Sequence, residues 1–418
     1  MTKLGVVLGT AATGFGLLAC NVEPLGEPTG GVSVIRQPGC PAAAVVVMTD
    51  YVSTEVAISA LDGETLSASF VSTASANASG LAFPLSGDVV VPSTRPPSGR
   101  VVLVDRFGTN VVTFLDPETA RVLDQLPVGT AFQSNPQDYL ELDERRALVS
   151  RSDDNPAPGN EPFDEGGDLV VIDTLDPEIT RSIALPRDDG FPPRPTALTP
   201  LGGDAVVTLE RFARDFRSAG DAMLVGIDSL AEDVAWTLSL PGLKNCGGLT
   251  LSPSAERAAL ACTGFIDPDG QTENLAQSAL VVFDATVMPP SELRRFSASD
   301  LVGEPLQQEV AFFSEDAVLV KTQTALGGGN NNRLLAVDLA SGEIRALAEA
   351  RPGSDGAGIG VAFGGMLCTP GCGNVCLVAD ADRSVLRRFA IANGALEELS
   401  SVRVEDVVGL PPRGIGSY

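Results

Sequence analysis

The chain has 418 residues, with 28 Lys and Arg against 54 Asp and Glu, and its net charge of −26 argues against nucleic acid and anionic lipid surfaces as partners. It contains no histidine, which excludes Ser-His-Asp and Cys-His catalysis and His-ligated zinc, copper, iron or haem. Abundant Gly (44) and Pro (30) with few aromatics suit short strands and many turns.

In chain order, Met1-Thr2-Lys3 is a short basic start, followed by an apolar run from Leu4 to Leu18. The run has the length of a secretory signal rather than of a membrane-spanning helix. It ends in Leu17-Leu18-Ala19-Cys20, which resembles the lipobox of bacterial lipoproteins. That resemblance implies cleavage before Cys20 and lipidation of its thiol. Residues 1–19 are therefore expected to be a lipoprotein signal peptide. Residues 20–39 read as the lipidated Cys and a Pro/Gly/acidic tether. Asn21 after the Cys leans towards the outer membrane under an enterobacterial sorting habit.

Residues 40–418 read as one domain built from a repeat. Its phrase is a strand, a short turn, a strand ending in Asp, a Pro/Gly turn and a further strand. Leu169-Val170-Val171-Ile172-Asp173, Leu224-Val225-Gly226-Ile227-Asp228, Leu280-Val281-Val282-Phe283-Asp284 and Leu334-Leu335-Ala336-Val337-Asp338 carry the strand-Asp element. A hairpin precedes each, clearest at Ser252-Pro253-Ser254-Ala255-Glu256. Four strands over roughly 40 to 50 residues is the period of a propeller blade. The repeat resembles YVTN-type and related bacterial β-propellers, a likeness that speaks for fold and little for function. The fold class is all-β, a β-propeller of seven four-stranded blades at about 41–74, 84–129, 136–187, 195–241, 246–299, 307–349 and 358–400. Blade one is one strand short, and Pro412 to Tyr418 is expected to supply that strand and close the ring. A frayed tail would instead leave a count of six or eight.

With Cys20 lipidated, six Cys remain, an even number that reads as disulfides in an exported protein. Cys246 and Cys262 face each other across the blade-five hairpin and are paired. Cys368 with Cys376 and Cys40 with Cys372 follow on the blade frame, with other pairings of these four open.

The loops between second and third strands lie on one face, and four are long: 151–167, 210–221, 264–278 and 323–332. Long loops in a compact fold usually bind something or are disordered. The opposite connections are expected to be tight turns, short except near Cys372. The candidate binding face comprises Asp153, Asp154, Glu161, Asp164, Glu165, Arg211, Phe212, Arg214, Phe216 and Arg217. Asp138 and Tyr139 are candidates for the axial funnel, against packing of an inner strand. Asp267, Asp269 and Glu273 resemble part of a calcium loop but lack a third Asp/Asn before the Gly and the Glu at position twelve. A solvated turn is the blander reading, so calcium stays a weak expectation. No nucleophile–base pair is evident and no catalytic residue is expected. The sequence thus points to an envelope lipoprotein that binds a protein or glycan partner. The alternative is a calcium-type, lactonase-like hydrolase, which would need a ring of acidic groups in the axial channel.

Overall fold

The structure, a computed structural model, describes residues 31–34, 37–75, 80–187, 190–265, 275–323, 332–351, 361–404 and 409–418. Cys20, the tether up to residue 30, Asp267, Asp269 and Glu273 lie outside the described residues, as do most of the 264–278 and 323–332 loops. No helix among the described residues is long and apolar enough to cross a membrane.

The strands form seven four-stranded antiparallel sheets arranged as a seven-bladed β-propeller. The second and third strands of most blades are apolar runs buried along nearly their whole length. Val101–Asp105 and Val111–Leu115 in blade two are of this kind. The outermost strands alternate, as Asp233–Ser239 does residue by residue, because one face meets the neighbouring blade and the other meets water. Seven apolar clusters fill the seven gaps between adjacent blades. The first and last blades share one of them: Val46 and Met48 pack with Leu377, Ala379 and Ile415.

Closure follows the expectation. The C-terminal strand Pro412–Ser417 pairs with Ala44–Thr49 as the inner strand of blade one, with Val46 opposite Ile415. Inner strands crowd the axis, and small residues permit it. A Cβ on Gly364 would fall 2.3 Å from the Arg413 carbonyl oxygen. The three disulfides are Cys40–Cys372, Cys246–Cys262 and Cys368–Cys376. The first joins residues 332 apart and ties the N-terminal segment to blade seven, beside the strand closure. Three disulfides suggest an oxidising, exported location.

The antiparallel order puts two kinds of connection on opposite faces. One face, here the turn face, carries the first-to-second and third-to-fourth connections. The repeat's Asp explains why the third-to-fourth connections are tight: each carboxylate accepts backbone N–H groups two or three residues ahead. Asp228 accepts from Leu230 and Ala231 at 2.8 Å each, and Asp338 from Ala340 (3.0 Å) and Ser341 (2.7 Å). These hydrogen bonds hold the carboxyl pKa values of both below the ordinary value.

One connection on this face departs from the expected tight turn. In blade two, residues 91–100 form a strap. The Ser93 N–H donates to Asp138 (2.9 Å), the Thr94 hydroxyl to the Leu198 carbonyl (3.3 Å) and Arg95 to the Cys40 carbonyl. Ser98 donates to Glu141 through its N–H (2.9 Å) and its hydroxyl (2.7 Å). The strap therefore touches blades three and four and the N-terminal segment beside blade one.

Candidate functional site

The other face carries the second-to-third connections and the passages between blades. It includes the blade-three hairpin, whose strands Arg146–Asp154 and Gly166–Asp173 are longer than the sequence implies. The loop shrinks to 155–165, and Arg151, Asp153 and Asp154 belong to a strand.

Arg151 is wholly buried, and its guanidinium grips Asp168 through two 2.7 Å hydrogen bonds. It also donates to the Thr130 hydroxyl (2.8 Å) and to the carbonyls of Val128 (3.1 Å) and Phe163 (2.7 Å). The Ser182 hydroxyl completes the Asp168 shell at 2.6 Å. A buried charge pair is tolerated when all its hydrogen-bonding capacity is used in this way. This clamp fixes the insertion to the passage from blade two to blade three.

Neighbouring loops are bound to the same hairpin. Arg187 (2.9 Å) and Arg214 (3.2 Å) both reach Asp154, and Arg194 pairs with Asp153. Arg194 also lies 4.2 Å over the Phe216 ring, and Phe212 packs against Phe216 and Phe265. Asp153, Asp154, Phe212, Arg214 and Phe216 are thus gathered on one face.

Several candidates are not available for recognition. Asp164 is buried and accepts the Gly159 N–H at 2.5 Å, which shapes the loop. Arg211 is buried and donates to the Asp221 carbonyl at 3.2 Å. Glu161, Glu165 and Arg217 are exposed.

Asp138 and Tyr139 do not line the funnel; both are buried. The Asp138 carboxylate accepts N–H groups from Ser93, Leu198 (2.7 Å) and Tyr139 (2.8 Å), joining blades two, three and four. Burial pushes its pKa up to about 6 despite these bonds. The Tyr139 hydroxyl donates to Glu141 at 2.9 Å.

The axial channel is a cavity of about 670 Å³ lined by the inner strands of the blades, with Ser93, Thr94 and Arg95 of the strap also in its wall. Its polar groups at the long-loop end were not recognised in the sequence as a set. Gln308 Nε2 donates both to Glu210 Oε1 (2.6 Å) and to Asn245 Oδ1 (2.7 Å). Glu210 sits deep enough within the protein that desolvation pushes its pKa up to about 7, which Gln308, Arg194 and Arg106 only partly offset. Glu309 pairs with Lys321 at 2.5 Å and accepts the Met366 N–H at 2.8 Å. Among the described residues, no group of three His, Cys, Asp or Glu side chains is disposed to hold a metal ion.

Around the long-loop face, Val52, Phe107 and Phe216 are exposed, at 78%, 68% and 49%. The turn face has apolar tips of its own at Leu175 and Leu230. The N-terminal segment also lies on the turn face: the Val32 N–H donates to the Pro117 carbonyl (2.8 Å), and Cys40 is bonded to Cys372 in a blade-seven turn.

No protein-family model and no curated protein matches the chain. Solved structures match in fold. A Bacteroides fragilis protein provisionally designated a 6-phosphogluconolactonase is 13% identical with a TM-score of 0.53, over 91% of this chain and 99% of its own. A functionally unknown protein of Desulfotomaculum acetoxidans is 14% identical with a TM-score of 0.53, over 90% and 98%. A dihydro-heme d1 dehydrogenase is 18% identical with a TM-score of 0.52, over 92% and 77%. At such identities the likeness defines the class, a seven-bladed β-propeller, and carries no activity across.

Proposed function

We propose that the chain is an exported lipoprotein, anchored through Cys20 to the envelope and facing a protein or glycan partner with its long-loop side. One observation carries this reading: short turns prevail on one face and longer loops on the other, and the N-terminal segment leaves from the turn face. A tether on that side turns the long-loop face away from the lipid. The exposed groups on that face, Phe107, Phe216, Arg214 and Arg217, are of the types enriched at protein interfaces. The Arg151 clamp holds the blade-three insertion in shape before binding, which lowers the ordering cost of association.

The test is photo-crosslinking in cells, with a benzophenone amino acid placed at Phe216 or at Leu230. Specific adducts from position 216 and none from 230 are expected; the reverse pattern overturns the docking face. In parallel, Cys20→Ser is expected to move the protein out of the membrane fraction, and retention there would overturn the anchor.

A further inference from the structure

The axial funnel has a charge pattern of its own. Charges at its long-loop end are matched: Asp88 with Arg106, Asp153 with Arg194, and Glu309 with Lys321. Glu210 breaks the pattern. It lines the cavity, yet no ion pair among the described residues includes it. Its hydrogen-bond donor is the neutral amide of Gln308, which is itself oriented by Asn245. Glu210 is half-buried, and Arg194 and Arg106, the cations that act on it, are bonded to Asp153 and Asp88; a half-buried carboxyl group without a direct counter-ion is costly to ionise unless a cation joins it.

We propose that Glu210, with Gln308 beside it, is the recognition point for a small molecule bearing a protonated amine, received in the axial funnel. An ammonium group supplies the missing charge, and its several donors match the acceptors gathered there: the Glu210 carboxylate and the amide oxygen of Gln308. Calcium would demand six to eight oxygen ligands, and the neighbouring carboxylate, Glu309, is engaged by Lys321 and the Met366 N–H. An anionic ligand would meet the Glu210 carboxylate; Arg95, the cation in the cavity wall, belongs to the strap and is engaged by the Cys40 carbonyl. The cavity of about 670 Å³ falls within the range that encloses a small ligand.

The test is calorimetric titration of the purified protein with 1,5-diaminopentane and with 1,5-pentanediol, its neutral counterpart. The diamine is expected to bind and the diol not. Because the Glu210 pKa lies at about 7, binding should tighten about 10-fold from pH 6 to pH 8. Glu210→Gln should lower affinity at least about 10-fold, whereas Leu175→Ala, exposed on the turn face and outside the funnel lining, should leave it unchanged. The wild-type pH profile serves as a readout that needs no variant to fold. Absence of diamine binding at pH 8, equal binding of diamine and diol, or full affinity in Glu210→Gln would each overturn the proposal. None of these outcomes bears on crosslinking at Phe216, so the two readings fail separately.

Discussion

The two faces of the propeller solve the same problem, joining antiparallel strands, by different physics. On the turn face the bonds that shape the third-to-fourth turns are local. Asp173, Asp228 and Asp338 each cap their own turn by reaching two or three residues along the chain. On the long-loop face the bonds are distant: Arg194 meets Asp153 across 41 residues, Arg214 meets Asp154 across 60 and Gln308 meets Glu210 across 98. Local capping yields small turns that tolerate independent change. Distant pairing yields a rigid surface whose parts depend on one another. The turn face is also bonded between blades: the strap reaches blades three and four, Arg146 pairs with Glu232 at 2.9 Å, and the Ser254 N–H donates to Glu315 at 2.7 Å.

Breaking the comparison hardest means removing the clamp. Arg151→Met leaves Asp168 buried without its cation and frees the carbonyls of Val128 and Phe163. It is expected to destabilise folding by about 3–5 kcal/mol in urea denaturation. A loss below about 1 kcal/mol would show that the hairpin does not need the clamp. Excising residues 151–167 is consequently no clean test of binding, because it removes a buried ion pair along with the exposed loop.

Asp138 probes the strap. Its folded pKa of about 6 lies above the ordinary value of 3.8, so the native state holds this proton more tightly than the unfolded chain. The stability linked to that proton is complete below pH 3.8 and is lost as pH rises through about 6. The amount is about 3 kcal/mol. Asp138→Asn cannot titrate, and its amide nitrogen cannot accept the Leu198 N–H. The variant should be less stable than wild type at pH 3.5, with the gap narrowing by about 2–3 kcal/mol by pH 7.5. A gap that is constant across this range would mean that Asp138 ionises as freely in the fold as in the open chain.

The smallest effect belongs to a single turn. Asp228→Ala removes the acceptor of two backbone N–H groups from an exposed connection, and the smallest loss of the three is expected from thermal or urea unfolding. A loss as large as that from Arg151→Met would erase the distinction between the faces.

How much was legible in the sequence follows the same division. The strand-Asp repeat, the seven-blade count and the missing strand of blade one could be read because strand alternation and turn chemistry are local properties. The Cys246–Cys262 and Cys368–Cys376 bridges were readable because each spans a single hairpin. For Asp138 and Tyr139 the sequence leaves the funnel and inner-strand packing both open, and the structure buries them in the packing. Alternation fixes which residues share a sheet face but not whether the next blade covers them. The binding-face candidates were drawn from one loop at a time, so Asp153 and Arg214 were named without the hairpin that unites them.

By itself, then, the sequence determined the architecture, because each blade is specified within about fifty consecutive residues by apolar periodicity and by turns that close on themselves. Tertiary structure decided which polar residues are buried, which arginine becomes a clamp, and that Glu210, Gln308 and Asn245 meet at the funnel. Ring closure brings together positions from opposite ends of the domain, such as Ala44 and Ser417. The hydrogen bonds and desolvation that set each group's chemistry exist only after that closure.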